Sequence, residues 1–135
     1  MIDNSLSIGQ IQLICLPFSG GSGFAFQPLI KHFPKSWQVF TMTYPGRGHR
    51  ITEPLVYTME QLLEDCWQQI KGKLRPPYVL FGHSLGSTLA FLLAHKIIRE
   101  EQTAPIHLIL SGTDGPRVPS KTPYRYLFSK KDFKV

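Results

Sequence analysis

The chain has 135 residues, 42% of them apolar, 12% aromatic and 18% charged, enough for one packed core and too few for two ordinary domains. This composition excludes a disordered chain, and its longest apolar stretches are only strand-length, so neither a membrane span nor a membrane partner is expected. The formal charge of +6 is uneven: residues 1–116 hold 9 basic and 8 acidic side chains, net +1, and residues 117–135 hold 6 basic and 1 acidic, net +5, so the basicity reads as a solvated tail and not as a nucleic-acid footprint.

Met1-Ile2-Asp3-Asn4-Ser5 lacks the basic start and long apolar run of a signal peptide, which makes a cytoplasmic location the expectation. Ile11 to Leu16 is an apolar run stopped by Pro17, and Phe18-Ser19-Gly20-Gly21-Ser22-Gly23 follows, leading into a short helix pattern through about His32. Trp37 to Tyr44 alternates and is rich in β-formers until Pro45-Gly46-Arg47-Gly48 breaks it, which predicts a second strand. Thr58 with Gln61 three residues on forms a capping box, and Met59, Leu62, Leu63, Cys66, Trp67, Ile70 and Leu74 recur at helical spacing until Pro76-Pro77.

Tyr78 to Phe81 predicts a third strand, the run from Ser87 to about Arg99 a helix, and Ile106 to Leu110 a fourth strand. The order β-α-β-α-β-α-β, with strands of near-continuous apolar character, indicates an α/β protein with a parallel sheet covered on both faces. Cys15 on a strand and Cys66 on an apolar helix face read as reduced core residues, neither a disulfide nor a metal pair; no metal site is expected. From Asp114 onward the pattern is lost among Pro116, Pro119, Pro123 and basic residues.

Gly82-His83-Ser84-Leu85-Gly86 lies between the third strand and its helix, the setting of a nucleophile elbow. Small residues at Gly82 and Gly86 let the backbone turn sharply and expose Ser84, which points to a catalytic serine. The backbone N–H of Leu85 and one from Phe18 or Ser19 are the candidate oxyanion donors, each typically worth about 2.7–4 kcal/mol of transition-state stabilisation. A plain connecting loop and a phosphate cradle are the other readings of Phe18 to Gly23, and the absence of both Gly-Lys-Ser/Thr and GxGxxG weighs against the cradle.

The histidines do not complete a triad in the sequence. His83 adjoins the serine and is expected to point elsewhere, His32 and His95 lie in helix patterns, and His107 begins a strand. His49, in the loop after the second strand, reads as a structural loop residue or an improvised base; Asp114 reads as a turn former beside Gly115-Pro116 or as the acid.

With Pro17-Phe18-Ser19-Gly20-Gly21, Tyr44-Pro45-Gly46-Arg47-Gly48-His49-Arg50, Gly82 to Gly86, and Ser111-Gly112 in this order, the sequence resembles the type II thioesterases. These are stand-alone α/β-hydrolases of nonribosomal peptide and polyketide synthesis, related to the medium-chain acyl-carrier thioesterases of fatty acid synthesis. The resemblance runs from about Gln10 to the end, and the Tyr-Pro-Gly-Arg-Gly block followed by Arg50 and Glu53-Pro54 is its most specific part.

It implies a truncated α/β-hydrolase fold, a mostly parallel sheet with helices on both faces, in one partial domain over residues 1–135 whose stretch from about 114 to 135 opens a lid region. It also implies release of acyl or aminoacyl groups from the phosphopantetheine arm of an acyl or peptidyl carrier protein, with no cofactor of the chain's own. In the family the catalytic aspartate and histidine come from later strands, and this sequence contains neither segment. The isolated chain is therefore expected to be inactive, with a non-catalytic carrier-binding or protein-binding module as the alternative. The fourth strand is expected to be an exposed apolar edge through which the chain self-associates.

Overall fold

A computed structural model describes residues 10–112. The elements run β1 (Gln12–Leu16), α1 (Gln27–Ile30), β2 (Gln38–Thr41), a single 3₁₀ turn at Gly48–Arg50, α2 (Met59–Ile70), β3 (Tyr78–His83), α3 (Leu85–Arg99) and β4 (His107–Ser111). All three strand pairings are parallel and the sheet order is β2-β1-β3-β4. The expected α/β class and the four strands are therefore present. Asp114 and the expected lid segment from about 114 to 135 lie outside the described residues.

Strand alternation divides the core in two. On one face Ile14, Leu16, Tyr78 and Leu80 meet Met59, Leu62, Cys66 and Ile70 of α2 and Leu89, Leu93 and Ile97 of α3. On the other, Leu13, Cys15 and Val79 are covered by Phe26, with Phe33, Trp37 and Phe81 packed around them. That second cover is slight, because α1 spans four residues and buries none of them. The helix predicted to reach His32 stops at Ile30; Pro34 disfavours helical backbone in the residue before it, and Lys31 closes the turn.

Local signals account for α2. The Thr58 side chain accepts a hydrogen bond from the Gln61 N–H at 3.1 Å, so the capping residue read from the sequence does cap. The helix closes at Ile70, short of Leu74, and Lys73 then turns its carbonyl to the Gln12 side-chain amide at 2.9 Å. Arg75 donates its N–H to the same Gln12 side chain at 2.9 Å, which fixes the lead-in to β3 beside β1.

Two boundaries around the elbow correct the sequence reading. β3 continues past Phe81 to His83, and α3 begins at Leu85, two residues before Ser87. Gly82 and Gly86 are thus a strand residue and a helix residue, and only Ser84 makes the turn.

The chain leaves β1 toward the face covered by Phe26 and leaves β3 toward the face covered by α3, so the carboxyl ends of these adjacent strands diverge. Such a switch point opens a crevice at the strand ends, and open α/β sheets place ligands there.

Cys15 and Cys66 are both buried and unpaired. Burial pushes the Cys15 thiol up to about 12, offset in part by a hydrogen bond with Thr41, and burial raises that of Cys66 as well. Since only the thiolate reacts, neither is expected to react with Ellman's reagent at pH 8 in the folded chain, and both should in denaturant. Native-state labelling at the rate of a free thiol would contradict the buried placement.

Candidate active site

Ser84 adopts φ 56° and ψ −117°, a left-handed conformation that costs a non-glycine residue about 1–3 kcal/mol unless its surroundings impose it. They do impose it. The Ser84 N–H donates to the Ser111 carbonyl of β4 at 2.8 Å, and the Ser84 carbonyl accepts from the Ser87 N–H at 2.9 Å.

A Cβ on Gly82 would run into the Gly86 carbonyl, and a Cβ on Gly86 would run into the Leu16 carbonyl at the end of β1. The two glycines therefore let the strand, the first turn of α3 and β1 approach to backbone contact. The result is an exposed serine at the switch point.

The loop after β1 closes on itself. The Gly21 N–H donates to the Phe18 carbonyl at 2.9 Å, with Gly20 at φ 81° in the third position of the turn, where a type II turn needs a positive φ. Behind it the buried Tyr44 hydroxyl donates to the Pro17 carbonyl at 2.7 Å, tying the second motif block to the first. Burial raises the Tyr44 phenol well above its ordinary value, so it remains a donor at any physiological pH.

Ser19, Gly20 and Leu85 line one open cleft together with Tyr44, Arg47 and Leu55. As the first residue of α3, Leu85 has a backbone N–H that the helix's own ladder leaves without an acceptor. The structure thus brings Ser19 and Leu85, the residue after Ser84, into one cleft. Phe18, half exposed, sets its ring edge-on to His83 with centroids 6.3 Å apart.

His83 makes its hydrogen bond with Ser111, Nδ1 lying 2.8 Å from that hydroxyl. Gly112, at φ 73°, packs so close to this ring that a Cβ there would strike it. Ser111-Gly112 therefore secures the elbow from the β4 side, a role that its sequence position did not reveal.

His49 sits in the 3₁₀ turn, near enough to Glu53 to help lower its pKa, and His95 packs edge-on to Phe91. Among the described residues none of the histidines hydrogen-bonds Ser84.

The Arg50 guanidinium is a structural clamp that the sequence pattern marked without explaining. It makes paired bonds of 2.8 Å to the Glu53 carboxylate, bonds of 2.7 and 2.8 Å to Asp65 on α2, and one of 2.9 Å to the Thr43 carbonyl. Gln69 donates to the same Thr43 carbonyl and to Asp65, at 3.0 and 2.8 Å. The hydrogen bond to Asp65, then that to Glu53, raises Arg50 above its ordinary value. Arg50 likewise holds the exposed Glu53 carboxyl below the usual carboxylate range.

A sequence model of the thioesterase domain matches residues 11–131. The chain belongs to the thioesterase family. Over 125 residues this thioesterase chain is 32% identical to the gramicidin S biosynthesis protein GrsT of Aneurinibacillus migulanus, covering 92% of itself and 49% of GrsT. It is 33% identical over 102 residues to the human medium-chain S-acyl fatty acid synthase thioesterase, covering 75% and 38% of the two chains.

Among solved structures it resembles ClbQ of the colibactin NRPS/PKS pathway, with TM-score 0.77, 34% identity and coverage of 84% of this chain and 48% of that one. It also resembles BorB, the type II thioesterase of the borrelidin cluster, with TM-score 0.71, 30% identity and coverage of 82% and 44%. The chain spans about half or less of the length of these relatives. Its likeness to type II thioesterases, and its α/β-hydrolase fold class with a parallel sheet and helices, are borne out.

Arg50→Ala is expected to lower unfolding stability by about 1–2 kcal/mol, because the partly buried Asp65 carboxylate loses its charged partner and keeps the Gln69 amide. Arg50→Lys should recover only part of this, since an ammonium cannot reproduce the planar fork. Glu53 is more acidic folded than unfolded, so its contribution is present above the unfolded carboxylate pKa and is lost as the pH falls through the lowered folded value. Chemical denaturation of the three proteins at pH 7 and pH 3 measures both effects; an unchanged midpoint for Arg50→Ala at pH 7 would refute the clamp.

Proposed function

We propose that this chain is the nucleophile-bearing part of a serine thioesterase that releases acyl or aminoacyl groups from the phosphopantetheine arm of an acyl or peptidyl carrier protein. The observation that carries this reading is Ser84, held exposed at a positive φ, with the next residue, Leu85, sharing a cleft with Ser19. Family membership supports thioester hydrolysis as the chemistry.

In this reading the Ser84 oxygen attacks the thioester carbonyl, and the developing oxyanion takes hydrogen bonds from the Leu85 N–H and from an N–H of the Phe18-Ser19 segment. Collapse expels the pantetheine thiol, which takes up the proton given by the serine. Water then attacks the acyl-serine, releases the carboxylic acid and restores the hydroxyl. No cofactor enters either step, since the protein's donors stabilise the oxyanion and the acyl group arrives on the partner's arm.

Both steps need a base, and the described residues put no histidine in hydrogen bond to Ser84. In a serine hydrolase of an unrelated fold with the same kind of triad, loss of the base alone costs about 10⁶ in turnover. The second reading, binding of carrier arms without turnover, rests on the same observation.

An activated acyl donor such as a p-nitrophenyl ester needs little base assistance to leave. The expected outcome is one acyl adduct on Ser84 by intact-mass analysis, absent in Ser84→Ala, with acyl-pantetheine hydrolysis barely above background. An adduct that survives Ser84→Ala would sink the nucleophile assignment. Ordinary turnover lost in Ser84→Ala would instead show that this chain carries its own base.

β4 is a terminal strand of the described sheet; its His107-Leu108-Ile109-Leu110-Ser111 run has no charged or proline guard, and Ile106 and Ile109 are exposed. We propose that this edge mediates self-association, so light scattering should show a mass that rises with concentration. A concentration-independent monomer would exclude it.

A further inference from the structure

Two arginines three residues apart occupy the loop after β2, and their surroundings differ. Arg50 spends its guanidinium on Glu53, Asp65 and the Thr43 carbonyl. Arg47 lines the cleft beside Ser19 and Leu85, and among the described residues its guanidinium has no ion-pair or hydrogen-bond partner.

The loop is built to hold Arg47 where it is. Gly46 and Gly48, at φ 81° and 50°, flank it, while Arg47 itself is extended at φ −124° and ψ 158°. Its N–H donates to the Tyr44 carbonyl at 3.1 Å. A Cβ on Gly48 would lie 3.1 Å from the Ser22 side chain and 3.2 Å from that of Thr43, so the loop presses against the loop after β1. Among the described residues, loop anchoring therefore falls to the glycines and Arg50.

The rest of the cleft wall is largely apolar, with Pro45, Leu55, Val56 and Leu62. A planar cation with five donors in an apolar cleft is matched by an anion offering two acceptor oxygens. We propose that Arg47 is a specificity-determining residue that binds an oxyanion of the thioester substrate, either a carboxylate on the acyl group or the phosphate of the pantetheine arm. This rests on the thioesterase reading above. Neutral acyl groups on unphosphorylated pantetheine then forgo the bidentate contact.

The test is calorimetric titration of the full chain with acetyl-pantetheine, malonyl-pantetheine and acetyl-phosphopantetheine, repeated with Arg47→Gln and Arg47→Lys. Circular dichroism confirms that the variants fold. An anionic probe is expected to bind about tenfold or more tightly than acetyl-pantetheine, the size of a charge-assisted hydrogen bond. Arg47→Gln should remove that preference, so that the three probes bind that variant alike, and Arg47→Lys should retain part of it.

Preference for the malonyl probe assigns the site to an acyl carboxylate, and preference for the phosphorylated probe assigns it to the arm. Equal binding of all three probes, a preference that persists in Arg47→Gln, or no binding of any probe overturns the proposal. Ser84 acylation by the p-nitrophenyl ester reports separately on the thioesterase reading, so each can fail while the other stands.

Discussion

The contact between the first turn of α3 and the carboxyl end of β1 governs this site. Gly86 sits so close to the Leu16 and Pro17 carbonyls that no side chain fits there, and Gly82 meets Gly86 in the same way. These two absences of a Cβ hold the helix start against the strand end, leaving Ser84 no alternative to its left-handed backbone. They also place the free N–H of Leu85 beside the loop after β1. The strain at one residue is sustained by packing at its two neighbours.

Around that contact the motif blocks divide the labour. Tyr44 reaches back to the Pro17 carbonyl, Arg50 clamps its own loop to α2 through Asp65, and Ser111 with Gly112 braces the elbow from β4. Three loops that are distant in sequence are thereby tied into one surface at the switch point of the sheet. The polar residues nearest Ser84 mostly serve this fastening. His83 illustrates it: its ring is engaged by Ser111, Gly112 and Phe18.

Much of this was legible in the chain, because the strands are nearly continuous apolar runs and α2 carries both its cap and its apolar periodicity. The elbow was legible because glycines are required at fixed offsets from the serine. Its boundaries were not. Periodicity placed the start of α3 at Ser87, whereas backbone contact with Gly82 and β1 starts the helix at Leu85. The reach of α1 was likewise overestimated, since apolar spacing does not register where a following proline stops the turn.

The sequence by itself determined the element order, the parallel α/β class and the identity of the exposed serine, because these follow from local periodicity and from where a Cβ is missing. It also singled out the Tyr-Pro-Gly-Arg-Gly-His-Arg block without giving its residues separate tasks. Only the tertiary structure decided that Arg50 is consumed by carboxylates from its own loop and from α2 while Arg47 faces the cleft. Only it showed that Ser111-Gly112 belongs to the elbow. The reason is physical: a charged side chain's role is set by the partners within hydrogen-bond reach. Those partners lie 15 residues away for Arg50 with Asp65 and 28 for His83 with Ser111, separations that no local pattern encodes.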